Sequence, residues 1–123
     1  MPALEKAVHL LQPGEKAFAV FTEGDRFEKN DADRTGSTGN WGVNVKRAQM
    51  LTHVIVYVRV SNNENKIYKG RYEGLEESGE GNLYRVLMSE IEFVGYTDRN
   101  WHEFADTGTN ARRYLPQYEG DSL

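Results

Sequence analysis

The residues best equipped for chemistry lie between positions 41 and 72, in the run WGVNVKRAQMLTHVIVYVRVSNNENKIYKGRY. Six basic side chains (Lys46, Arg47, Arg59, Lys66, Lys69 and Arg71) stand there against one acidic residue, Glu64, in a chain whose formal net charge is -4. Aromatic rings are interleaved with them at Trp41, Tyr57, Tyr68 and Tyr72. Cations attract phosphates, and rings offer faces on which a base can stack. Lys46, Arg47, Lys69 and Arg71 are therefore candidate phosphate contacts. A second aromatic group, Tyr96, Trp101 and Phe104, follows later in the chain. If the two groups meet, Trp41, Tyr96 and Trp101 would build a stacking pocket, and Asn40 or Asn44 would read the polar edge of a base. The competing reading makes both tryptophans core anchors, because Trp is usually well buried in small domains.

Other chemistries find less support. His9, His53 and His102 are scattered, with no HExxH pattern, and His102, Glu103 and Asp106 read as a solvated helix face. The segment DRFEKNDAD lacks the spacing, central Gly and final Glu of a calcium loop. No metal site is expected. A GxSxG elbow and a Walker pattern are both missing. The Gly-rich GSTGNWG could line an anion nest, but such a run is more often an ordinary loop. Glu90 and Glu92 fall on one strand face, where neighbouring carboxylates can raise a pKa; on a polar face they are more often solvated or paired with Lys or Arg. Arg112 and Arg113 beside Tyr114 are either phosphate contacts or partners of the acidic C-terminal half. No catalytic residue is assigned and no cofactor is expected.

These side chains must be positioned by a small fold. The 123 residues suit one domain, 1–123, with one core. The charge is uneven: residues 41–71 carry +5 and residues 72–123 carry -7. The absence of Cys rules out disulfides and thiolate chemistry. The N-terminal segment lacks the apolar region of a signal peptide, and no run approaches a membrane span, so a cytoplasmic protein with no membrane contact is expected.

Apolar spacing predicts a helix over 3–11, ended by Pro13-Gly14, and a short buried strand over 17–22. Residues 22–40 hold one large apolar side chain, Phe27, and read as a long polar loop. A brief strand over 41–45 and a helical turn over 46–51 precede the clearest strand, 52–60. There Val54, Val56, Val58 and Val60 face one way, and His53, Ile55, Tyr57 and Arg59 the other. A turn at 61–65 folds this strand back on KIYKGRYEGLEE as a hairpin. A turn at 78–82 leads to a long strand, 83–97, bulged near Met88-Ser89. Residues 98–106 form a short helix capped by Asp98, and the tail frays after about 115. Strand runs with small flanking helices predict an α+β fold: a compact, mainly antiparallel β-barrel. Parallel βαβ architecture is not expected, because no long crossover helix lies between the strands.

NWGVNVKRAQMLTHVIVYVRV followed by KIYKGRYEGLEES, with FVGYTDRNWHEF beyond, resembles the PUA-like superfamily of EVE, ASCH and YTH-type domains over about residues 40–105. The resemblance implies a compact β-barrel that binds RNA or DNA, often around a modified or extruded base. By position, it makes Trp41 and Trp101 cage candidates, Asn40 and Asn44 edge readers, and Lys46, Arg47, Lys69 and Arg71 phosphate contacts. Two functions stay open. One is a module binding nucleic acid, a nucleotide or a modified base through an aromatic pocket with a basic rim. The other is a protein-interaction module, an inhibitor or adaptor, whose acidic half would mimic nucleic acid.

Overall fold

A computed structural model describes residues 3–61, 64–107 and 110–116. Seven strands form one mixed sheet: β1 (Ala17–Thr22), β2 (Phe27–Asn30), β3 (Thr35–Gly42), β4 (His53–Val58), β5 (Asn65–Glu77), β6 (Leu83–Thr97) and β7 (Arg112–Leu115). Their order across the sheet is β2-β3-β6-β5-β4-β1-β7. A 3-10 helix spans Ala7–Leu10, and two short α-helices, α1 (Val45–Ala48) and α2 (Trp101–Ala105), flank the sheet.

The expected hairpin forms as β4 paired with β5, from His53↔Arg71 to Val58↔Lys66. The Asn62-Asn63 part of its turn lies outside the described residues. On the valine face Val54 and Val56 are buried, as the alternation predicts, while Val58 is half-buried and Val60, beyond the end of β4, is exposed; Ile55 and Tyr57 on the opposite face are buried too. A strand covered on both faces belongs at the centre of a sheet. Its neighbour β1 is equally apolar and pairs with it in parallel, Ala17↔His53 through Thr22↔Val58. The connection between them is the β2–β3 hairpin followed by α1, so no long crossover helix is needed for a parallel pair.

That hairpin corrects the expected loop over 22–40. Phe27↔Thr38 through Asn30↔Thr35 are paired, and β3 pairs onward with β6. Two features explain strands without apolar periodicity. Gly36 passes so close to β2 that a Cβ there would sit 2.2 Å from the Glu28 carbonyl oxygen. Thr38 donates from Oγ1 to the Arg26 carbonyl oxygen at 2.6 Å, which fixes the hairpin's base. Four other boundaries differ from the sequence reading. The first helix is one 3-10 turn. Strand β3 ends at Gly42, and Asn44 caps α1. Asn100, not Asp98, caps α2. Arg112–Leu115 form an edge strand against β1.

The sheet buries apolar side chains on both faces. Ala17, Ala19, Ile55, Tyr57 and Ile67 pack beneath the 3-10 helix and α2, with Trp101 and Phe104. Phe18, Val20, Val54, Val56, Val86 and Met88 pack on the other face with Trp41. Beside this second cluster, β7 at one edge of the sheet meets the segment that follows β3. The Asn44 backbone N–H donates to the Tyr114 hydroxyl at 2.9 Å, and the Arg47 guanidinium lies 4.2 Å from the Tyr114 ring centre. No ladder joins β2 to β7 among the described residues, so the sheet stays open where a closed, mainly antiparallel barrel was expected. No helix of the described residues is long and apolar enough to cross a membrane.

Candidate functional site

The two tryptophans do not converge. Each is 5% exposed, but they belong to different clusters on opposite faces of the sheet. Trp41 donates from Nε1 to Thr38 Oγ1 at 3.0 Å, and the Arg26 guanidinium covers its ring at 4.8 Å. Its face and its polar atom are both occupied, so it acts as a core anchor.

Trp101 borders open space. A cavity of about 410 Å³ is floored by Phe21, Tyr57 and Trp101 and rimmed by Arg59, Ser61, Asn65, Asn100, His102 and Ala111. Phe21 lies nearly parallel to Trp101, with centroids 6.1 Å apart and planes at 22°. Tyr57 meets Trp101 edge-on at 5.7 Å. Three elements bring these rings together. Phe21 is near the end of β1 and Tyr57 near the end of the parallel β4, so the register places them side by side at Phe21↔Tyr57. Trp101 begins α2, whose cap Asn100 accepts from the Glu103 N–H at 2.9 Å.

The floor's polar atoms are already satisfied. Trp101 Nε1 donates to the Asn110 carbonyl at 2.6 Å, and the Tyr57 hydroxyl donates to the Arg99 carbonyl at 2.7 Å. Burial raises the Tyr57 pKa, with the Arg59 charge opposing, so the phenol stays neutral. Asn65 is also committed: its Oδ1 accepts from the Val60 N–H at 3.1 Å, and its Nδ2 donates to the Thr97 carbonyl at 3.4 Å. What this cavity offers is ring surface, together with the Asn100 amide N–H₂ and the His102 imidazole, neither of which has a side-chain partner among the described residues.

The remaining candidates are dispersed. Asn40 donates to Glu80 Oε1 at 3.0 Å. Asn44 accepts the Lys46 and Arg47 N–H groups at 3.0 and 3.1 Å as the α1 cap. Neither lines the Trp101 cavity. Tyr96 is 41% exposed and meets Phe93, itself 46% exposed, edge-on at 5.0 Å, outside that cavity. Lys46 is exposed on α1, beside the half-buried Arg47.

Lys69 and Arg71 do come together, in a second cavity of about 250 Å³ lined also by Arg34, His53, Gly70, Glu90 and Glu92. Lys69 Nζ donates to the Leu10 carbonyl at 2.7 Å and pairs with Glu15 at 2.8 Å. Arg71 pairs with Glu90 at 3.3 Å. His53 places Nε2 3.6 Å from Glu15 Oε2 and Nδ1 2.8 Å from Thr52 Oγ1. Burial lowers the His53 pKa, Glu15 opposes, and the Lys69 and Arg71 charges push it further down. Burial alone would raise the Glu15 carboxyl, but the hydrogen bonds from Lys69 and Gln12 and the charges of His53 and Lys69 together bring it below its usual value.

Phe21, Asn100 and His102 were not singled out for the pocket from sequence. Tyr57 and Arg59 stand out in the sequence as parts of the basic stretch and of the strand face opposite the valines, not as pocket residues. The available signal was the placement of Asn100 immediately before Trp101 as a helix cap. Among the described residues no group of three or more His, Cys, Asp or Glu side chains is arranged to hold a metal ion. Comparison with family models, with curated proteins and with solved structures finds no match for this chain.

Proposed function

We propose that this chain is a small binding module that takes a base, as part of a nucleotide or a nucleic acid, into the cavity floored by Phe21, Tyr57 and Trp101. The observation that carries this reading is the cavity itself: three rings beside open space, with their polar atoms satisfied internally. Such a floor binds through its faces and edges, and base–aromatic stacking contributes about 1–3 kcal/mol per base. Asn100 and His102 supply the polar contacts that the sequence reading gave to Asn40 and Asn44. Arg59 at the rim supplies positive charge. The mixed sheet with short flanking helices is compatible with the PUA-like resemblance, which adds a modified or extruded base to the reading.

Titration with single-stranded RNA and DNA at low and moderate salt tests the proposal. Binding that weakens as salt rises is expected, because phosphate contacts release counterions. Absence of any salt-dependent binding would remove the nucleic-acid reading.

The exposed Phe93–Tyr96 pair favours a second reading, a protein-interaction surface. Replacing both rings with Ser would then abolish capture of a stoichiometric partner and leave nucleotide binding intact.

A further inference from the structure

The second cavity is a different kind of site. Its volume, about 250 Å³, falls below the roughly 300–1,000 Å³ of pockets for drug-sized ligands. Its lining is almost entirely charged, and the charges divide into two sets. Lys69 is neutralised by Glu15 and Arg71 by Glu90. The Arg34 guanidinium and the Glu92 carboxylate have no side-chain hydrogen bond or ion pair among the described residues. Glu92 sits opposite Lys69 in the β5–β6 register, yet Lys69 is already held by Leu10 and Glu15.

Lone charges on a surface are ordinary. Here one residue of each sign lines the same small cavity, whose other charged side chains are ion-paired, and Arg34 also borders a smaller hollow beside Tyr68 and Phe93. Its sides are also pinned together. The Arg34 N–H donates to the Asn30 carbonyl at 2.8 Å, and the Arg34 carbonyl accepts from the Ile91 N–H at 2.9 Å. The turn before β3 is thereby fixed to the bulge of β6. Arg34 and Glu90 both hold left-handed backbone there, with φ of 58° and 49°.

A simple anion drawn to Arg34 would also meet Glu90 and Glu92. A simple cation drawn to Glu92 would meet Arg34 and Arg71. A molecule carrying one carboxylate and one ammonium satisfies both uncommitted groups. We propose that this cavity binds a free α-amino acid, its carboxylate on Arg34 and its ammonium on Glu92. A guanidinium holds a carboxylate by two parallel hydrogen bonds. His53, whose burial favours the neutral imidazole, closes the wall without altering the charge balance at neutral pH. The Trp101 cavity shares no lining residue with this one, so the two proposals stand or fall separately.

Calorimetric titration of the whole chain with each of the twenty free L-amino acids tests this, with N-acetyl and amide forms and inorganic phosphate as comparisons. At least one free amino acid is expected to bind, and its N-acetyl and amide forms each at least about tenfold more weakly. R34Q and E92Q should each cost a similar factor while circular dichroism stays unchanged; if either variant fails to fold, the other and the blocked ligands still decide. Three results would overturn the proposal: no free amino acid binding at about 10 mM, phosphate or an N-acetyl amino acid binding as tightly as the free form, or affinity indifferent to both substitutions.

Discussion

Trp41 and Trp101 have the same side chain and the same 5% exposure, but different surroundings. Trp41 is packed among Phe18, Val20, Val54 and Val56 and capped by Arg26. Trp101 packs against Phe21 and Tyr57, and the three rings together line a cavity. Exposure alone therefore does not separate a core anchor from a pocket floor; the neighbouring rings and the space beside them do. The contrast also moves the candidate site away from Asn40–Asn44 to the junction of β1, β4 and α2.

The contrast is sharpest when each ring is removed. Trp41→Ala should lower unfolding free energy by about 3–5 kcal/mol, the range for deleting a large buried aromatic side chain. Urea unfolding measures this, and Trp41→Phe, which keeps a ring in the core, should leave ligand affinity unchanged. Loss of affinity in Trp41→Phe would return the site to Trp41.

Trp101→Leu should weaken nucleotide binding by about 1–3 kcal/mol, the contribution of one stacked base. Equal affinity in wild type and variant, in a protein shown to be folded, would break the distinction between the two tryptophans.

Asn44→Ala should cost about 1 kcal/mol of stability, because it removes the cap that accepts two helix N–H groups. Nucleotide affinity should not change, since Asn44 does not line the cavity. An edge-reading Asn would give the opposite pattern, with stability kept and affinity lost.

The smallest effect concerns the other end of the same sheet face, at His53. A lowered His pKa means that the unfolded chain binds the proton more readily than the folded one. Stability from His53 is therefore fully present above its ordinary value, near 6.5, and is lost as pH falls through its lower folded value. Glu15 acts in the same direction in a lower window, present above about 4.5 and lost as pH falls through its own folded value. Unfolding measured across mildly acidic pH should show a decline that His53→Gln flattens; an unaltered slope in that variant would place the proton uptake elsewhere.

Much of the sheet was legible because alternation and turn residues report local geometry. The β4–β5 hairpin, β1 and the long bulged β6 follow from the valine spacing, the AFAVFT run and the uneven register of 83–97. The β2–β3 hairpin was not legible, since it is held by a backbone ladder, the close approach that Gly36 permits and the Thr38 hydrogen bond rather than by apolar periodicity. The parallel β1–β4 contact is a long-range pairing that no local pattern encodes.

For the candidate site, the kinds of side chain were legible in the sequence but their placement was not. A Trp among aromatic residues and a nearby Asn were expected, and Trp101 with Asn100 meet that description. Trp41, Asn40, Asn44 and Tyr96 lie elsewhere, because face assignment depends on how distant strands pair. Lys69 and Arg71 do share a cavity, as alternation on one strand allows, yet each carries a carboxylate partner supplied by another segment.

The central claim is most directly tested by fluorescence of Trp41→Phe, in which Trp101 is the one remaining indole. Titration with nucleoside monophosphates and short single-stranded oligonucleotides should quench that emission saturably, since the base would settle against the ring. No saturable quenching, or quenching that persists when Trp101→Phe leaves Trp41 as the reporter, would contradict the account.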